Sequence, residues 1–121
     1  MKIETEKQQQ ISIVKLSGEL DASNAVQVDL VLSQLIQEKP SEIWIDGIQI
    51  QYISSAGLGV FLSHLQTLAQ QNTKLVFYHL NPKIRNIFTI LGLDSIVQIV
   101  QNREAAQALS GSQSFVNSGI N

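Results

Sequence analysis

Residues 52–61, YISSAGLGVF, are the junction on which the reading of this chain turns. Two serines and two glycines crowd together where an apolar helical pattern begins. Leu58, Phe61, Leu62, Leu65, Leu68 and Ala69 recur at three- and four-residue intervals, one continuous stripe of an amphipathic helix. Upstream, SEIWID (41–46) is apolar at alternate positions, which predicts a strand, and GIQIQYI leads from it into the serine pair. The junction is therefore a passage from strand to helix.

The flanks repeat that unit. Toward the N-terminus, Lys2–Glu6 alternates and ISIVKLSG from Ile11 is rich in β-branched residues, so two strands joined around Gln8–Gln10 are expected. Ala25, Val28, Val31, Leu32, Leu35 and Ile36 then mark a helix, with Asp21 as its expected N-cap and Pro40 beyond its end. Toward the C-terminus, TKLVFYHL reads as a strand and NPKIRNIFTILGL as a short helix. Asn81 caps that helix, Pro82 opens it, and Ile84, Ile87, Phe88 and Leu91 form its stripe. Gly92 stops it, and Leu93 can fold back onto the last turn. SIVQIV is a last strand and REAAQAL a last helix.

This order predicts an α/β domain over residues 1–109. Its mixed sheet has four to five strands, an N-terminal antiparallel hairpin, parallel crossovers and about four helices. Residues 110–121, small and polar with little to bury, are expected to form a disordered tail. In such sheets, partners meet the loops beyond the carboxyl ends of the strands. Ser54 and Ser55 lie on one such loop, Asp21–Asn24 on another, and the two are expected side by side.

Composition narrows the chemistry. The 121 residues are 44% apolar, enough for one globular domain. Only 15% are charged, and glutamines such as Gln70 and Gln71 take their place on the expected surface. A net charge of -2 without a basic stripe argues against nucleic acid. There is no cysteine, hence no disulfide, thiolate metal site or cysteine nucleophile. Met1–Gln10 carries charges where a signal peptide would have its apolar region, so none is expected there, and no apolar run approaches the ~18 residues of a membrane span. The expectation is a soluble, cytoplasmic domain without a membrane role.

Catalysis finds little support. No lysine completes a phosphate-binding loop, and GLG at 57–59 is half a dinucleotide fingerprint. ISSAG does not match G-x-S-x-G. His64, between stripe positions, is expected to face solvent or a partner, and His79 to end a strand. Asp21, Asp29, Asp46 and Asp94 lack metal-loop spacing. A small flavodoxin-like enzyme would share the fold class without any catalytic constellation.

The serine pair has a local reading and a functional one. Locally, Ser54 is a good N-cap and Gly57 permits close packing. Yet Gly57 and Gly59 in the first turns each cost about 1 kcal/mol relative to alanine. Gly59 and Ser63, four and eight residues after Ser55, leave the helix face above it low enough for another protein to approach. A hydroxyl at a helix N-terminus is also a place where phosphate is tolerated, because unpaired N–H groups and the helix dipole favour negative charge.

GELD at 18–21, SSAGLGV at 54–60 and the proline, phenylalanine and Gly-Leu spacing from Pro82 to Leu93 together resemble the STAS domain of bacterial anti-sigma-factor antagonists. The resemblance runs from about Met1 to Leu109. It implies a non-enzymatic signal-transduction protein acting on transcription, without metal or organic cofactor. Its phosphoacceptor falls on Ser55, with Ser54 as the alternative. The partners implied are a GHKL-type anti-sigma factor that is also a serine kinase, and a PP2C-type phosphatase. The docking face would comprise Asp21, Ala22, Ser23, Asn24, Ser54, Ala56, Gly57, Leu58, Gly59 and Ser63, with Gln66 at its rim. One departure is Ser54, where many members carry aspartate. The alternative is a STAS scaffold that is not phosphorylated and binds a small ligand or nucleotide, or a subunit of a larger sensory assembly.

Overall fold

Five strands form one sheet in chain order in a computed structural model that describes residues 1–110. β1 (Lys2–Gln8) and β2 (Ile11–Leu20) make the antiparallel hairpin, turning at Gln9, whose φ of 58° suits a two-residue turn. β3 (Glu42–Ile53), β4 (Lys74–Tyr78) and β5 (Gln98–Ile99) follow in parallel. Helices α1 (Ala25–Gln37), α2 (Ser55–Gln70) and α3 (Pro82–Ile90) make the crossovers, and α4 (103–110) ends the described chain. The predicted order and mixed sheet are thus observed. The predicted tail lies, after Ser110, outside the described residues.

Alternation along the strands divides the core between the two faces of the sheet. Val14, Leu16, Ile43, Ile45 and Phe77 pack with α1, α2 and α3 in the larger cluster. Phe77 lies edge-on to both Phe61 of α2 and Phe88 of α3, with ring centroids 5.1 Å apart in each pair, so one β4 side chain ties two helices down. Ile13, Trp44, Val76 and Tyr78 pack on the opposite face with Ala106 of α4.

Several elements depart from expectation; in α3, Leu91, predicted for the stripe, is the C-cap and 57% exposed. β3 does not end with SEIWID but runs on to Ile53, because Gln49–Ile53 keep pairing with Ser17–Leu20 of β2. The last strand shrinks to Gln98–Ile99, since Leu93–Ser95 coil into a tight turn after Gly92, at φ 75°, stops α3. In α2, Val60 is buried where Leu62, predicted for the core, is 43% exposed. α2 packs beside α1 and turns its Val60 side toward that neighbour.

Candidate functional site

Leu20 and Ile53 stand opposite one another at the ends of β2 and β3. The loops leaving the two strands consequently emerge together, and the Ser54 N–H donates to the Leu20 carbonyl at 2.9 Å. The expected juxtaposition of the 21–24 and 54–55 loops is present.

At the start of α2, Ser54 is extended (φ -85°, ψ 173°) and its Oγ accepts the Gly57 N–H at 3.2 Å. Its carbonyl begins the helix by accepting the Leu58 N–H at 2.9 Å. Ser54 is therefore the N-cap, half-buried, with its oxygen engaged. Ser55 is the first helical residue and exposed. Among the described residues its hydroxyl has no hydrogen-bond partner.

The two glycines have different reasons. A Cβ on Gly57 would stand 2.7 Å from Leu20 Cγ and 2.9 Å from the Leu20 carbonyl oxygen, so close approach of α2 to β2 demands glycine there. Around a Cβ on Gly59 no atom of the described residues lies within 4 Å. Gly57 and Leu58, included in the expected docking face, are buried and serve as its support. Ala56, Gly59, Ser63 and Gln66 are exposed. The Ser63 hydroxyl donates to the Val60 carbonyl at 2.8 Å.

The 21–24 loop closes on itself. Asp21 Oδ1 accepts the Ser23 N–H at 2.9 Å and the Ser23 hydroxyl at 2.5 Å, and the hydroxyl, then the amide, hold the Asp21 carboxyl below its ordinary range. Asp21 is thus not the cap of α1. Asn24 holds that position, and its side chain accepts the Asp21 N–H (3.0 Å) and donates to the Glu19 carbonyl (2.7 Å) instead of capping. Ala22 and Ser23 are exposed, Asp21 and Asn24 half-buried.

Beside Ser55 a shallow groove of about 310 Å³ runs between α1 and α2, lined by Ala25, Val26, Asp29, Ala56, Gly59, Val60 and Ser63. His64, expected to face outward, turns to α1 and meets Asp29 Oδ1 at 2.6 Å through Nε2. Sequence reasoning missed the α1 side of this groove. The available signal was that Val26 and Leu30, both strongly exposed, lie off the buried stripe of α1.

His79 just follows β4, and its Nδ1 lies 3.0 Å from Asp46 Oδ1. Among the described residues no cluster of three or more His, Asp or Glu could hold a metal, and no helix is long and apolar enough to cross a membrane.

The chain matches the model of the STAS domain over residues 2–106. It is 34% identical to BtrV of Bordetella bronchiseptica over 108 residues, 89% of this chain and 93% of the relative. It is 29% identical to the anti-sigma-B factor antagonist of Staphylococcus aureus over 104 residues, 86% and 96% of the two chains. The anti-sigma factor antagonist SpoIIAA in its unphosphorylated form superposes with a TM-score of 0.72 at 18% identity, covering 93% of this chain and 98% of that one. The phosphorylated form of the Bacillus protein gives 0.71 at 20% identity, covering 89% and 99%. With its hairpin, its parallel crossovers and its serine-capped second helix, the chain belongs to the STAS domain family of anti-sigma-factor antagonists.

Proposed function

We propose that this chain is the phosphorylatable member of a partner-switching circuit. Unmodified, it binds a GHKL-type anti-sigma factor that is also a serine kinase, and so frees the sigma factor. Phosphorylation of Ser55 ends that contact, and a PP2C-type phosphatase restores it.

The observation that carries this reading is the division of labour between neighbouring hydroxyls. Ser54 spends its oxygen on the Gly57 N–H, while Ser55 is exposed and, among the described residues, unengaged. Two hydroxyls could in principle accept phosphate; only one is free to approach a nucleotide without uncapping α2.

In the transfer, the Ser55 oxygen attacks the γ-phosphorus of the partner's ATP. A Ser55 O–P bond forms, the bond to the ADP oxygen breaks, and the hydroxyl proton passes to a base of the partner. The kinase supplies nucleotide and Mg²⁺; this chain supplies an acceptor on a rigid helix start. The product carries roughly -1.5 to -2 charge beside the first-turn N–H groups, which tolerate it. The fold is thereby preserved. The partner surface closed over Ser55 meets a dianion it must desolvate, a cost of several kcal/mol that is enough to abolish micromolar binding.

Incubation with the kinase and ATP, read by intact mass, tests the assignment. The expected result is a gain of ~80 Da, one phosphoryl group, absent from Ser55→Ala and retained in Ser54→Ala. A gain that survives Ser55→Ala overturns it.

A further inference from the structure

α1 and α2 lie side by side over one face of the sheet, yet of the chain's 8 basic and 10 acidic residues they hold a single one, Asp29. A surface that meets only water ordinarily carries roughly a quarter to a third Lys, Arg, Asp and Glu. Depletion of charge marks instead the centre of a protein–protein interface.

Large apolar side chains turn outward on the same two helices. Val26 and Leu30, four residues apart on α1 and hence on one side of it, are 71% and 60% exposed, and Leu62 on α2 is 43% exposed. The groove between the helices is kept shallow by Ala56 and Gly59, and Asp29 contributes its only charge. This surface is continuous with Ser55, since Ala56 and Gly59 border both.

We propose that this two-helix face carries the affinity for the partner, while Ser55 at its edge decides whether the face can close. The occupant is a protein surface that is apolar over Val26 and Leu30 and brings one cation to the exposed part of Asp29, whose Oδ1 already meets His64. The inference rests on the partner-switching reading, because it assigns the same anti-sigma kinase to this face. A second copy of the chain is a poorer complement. A symmetric contact would bring two copies of the same face together, where each Asp29 is already met by its own His64 and neither helix has a lysine or arginine to offer its twin.

The test uses purified GHKL-type anti-sigma kinases of the host genome, each with ADP, titrated with wild type, Val26→Asp/Leu30→Asp and Ser55→Asp. Unfolding curves of all three are recorded alongside, and Val26→Ser/Leu30→Ser serves if the aspartates lower stability. The double variant should bind at least about tenfold more weakly, as loss of interface anchors does, with an unchanged melt. With ATP it should still be phosphorylated on Ser55, with KM raised and kcat retained. Wild-type affinity in the double variant overturns the inference, as does a wild-type dimer that the double substitution disperses. If the double variant weakens while Ser55→Asp binds like wild type, the face stands and the switch reading falls. If only Ser55→Asp weakens, the reverse holds. If no such kinase binds wild type, both fall.

Discussion

Gly57 lies so close to Leu20 that an added methyl group would stand 2.9 Å from the Leu20 carbonyl oxygen. That oxygen also accepts the Ser54 N–H at 2.9 Å. One atom at the end of β2 therefore sets both where α2 begins and how tightly its first turn lies on the sheet. A backbone oxygen cannot swing aside as a side chain can. Gly57→Ala should destabilise the domain by about 1–3 kcal/mol, the usual cost of overpacking. Denaturant unfolding checks this, and a wild-type midpoint would mean that the helix start can shift.

Gly59→Ala should do the opposite. Its Cβ would meet no atom of the described residues within 4 Å, so the variant gains helix propensity, up to about 1 kcal/mol, without a clash. Gly59→Gln should be at least as stable as wild type, since glutamine too is a better helix former than glycine, yet bind the kinase less well, because its side chain occupies the groove. Unfolding and titration on the same two variants separate these effects.

Ser54→Ala should cost about 1 kcal/mol through loss of the cap to Gly57. Ser54→Asp should recover most of that, since aspartate caps equally well and favours a helix N-terminus. Ser55→Ala should lie within about 0.5 kcal/mol of wild type, as an exposed residue without partners among the described residues does. Equal losses at both serines in chemical denaturation would contradict the assigned roles.

Tyr78 offers a pH test distant from Ser55. Its ring is fully buried and its hydroxyl has no partner among the described residues. Burial, and then the Asp46 carboxylate, push its pKa from 10.0 up to about 12. A raised pKa means that the folded state retains the proton longer than the unfolded chain. The stabilisation is complete below the ordinary pKa near 10.0 and is lost as pH rises through about 12. Wild type should accordingly lose stability in that alkaline window. Tyr78→Phe should lack this limb and, relieved of an orphan hydroxyl, gain about 1 kcal/mol at neutral pH. Melting across pH 8–12 on both proteins measures the difference.

Features governed by neighbours in sequence are legible in the sequence itself. Ser54 and Asn81 cap their helices by accepting N–H groups three residues on, from Gly57 and Ile84. Gly92 adopts a left-handed conformation where a helix stop was expected. The Asp21 cap failed for a local reason too: Asn24 is equally suited to that position, and Ser23 engages the Asp21 carboxylate. His64 was misdirected because its partner Asp29 is 35 residues away. Leu62 was placed in the core because a periodic stripe gives the angle of a helix only to within one side-chain row. Contact with α1 then chose the row containing Val60.

By itself the sequence determined the alternation of strands and helices, the parallel crossovers they require and the serine-capped junction. Each depends on periodicity, turn chemistry or a hydrogen bond spanning three or four residues. The tertiary structure alone decided that Gly57 is demanded by Leu20 and that Gly59 is not demanded by any neighbour. It alone built the groove of α1 and α2 and closed His64 onto Asp29. Those outcomes depend on how close two elements far apart in the chain approach, a distance set by packing of the whole core rather than by any local pattern.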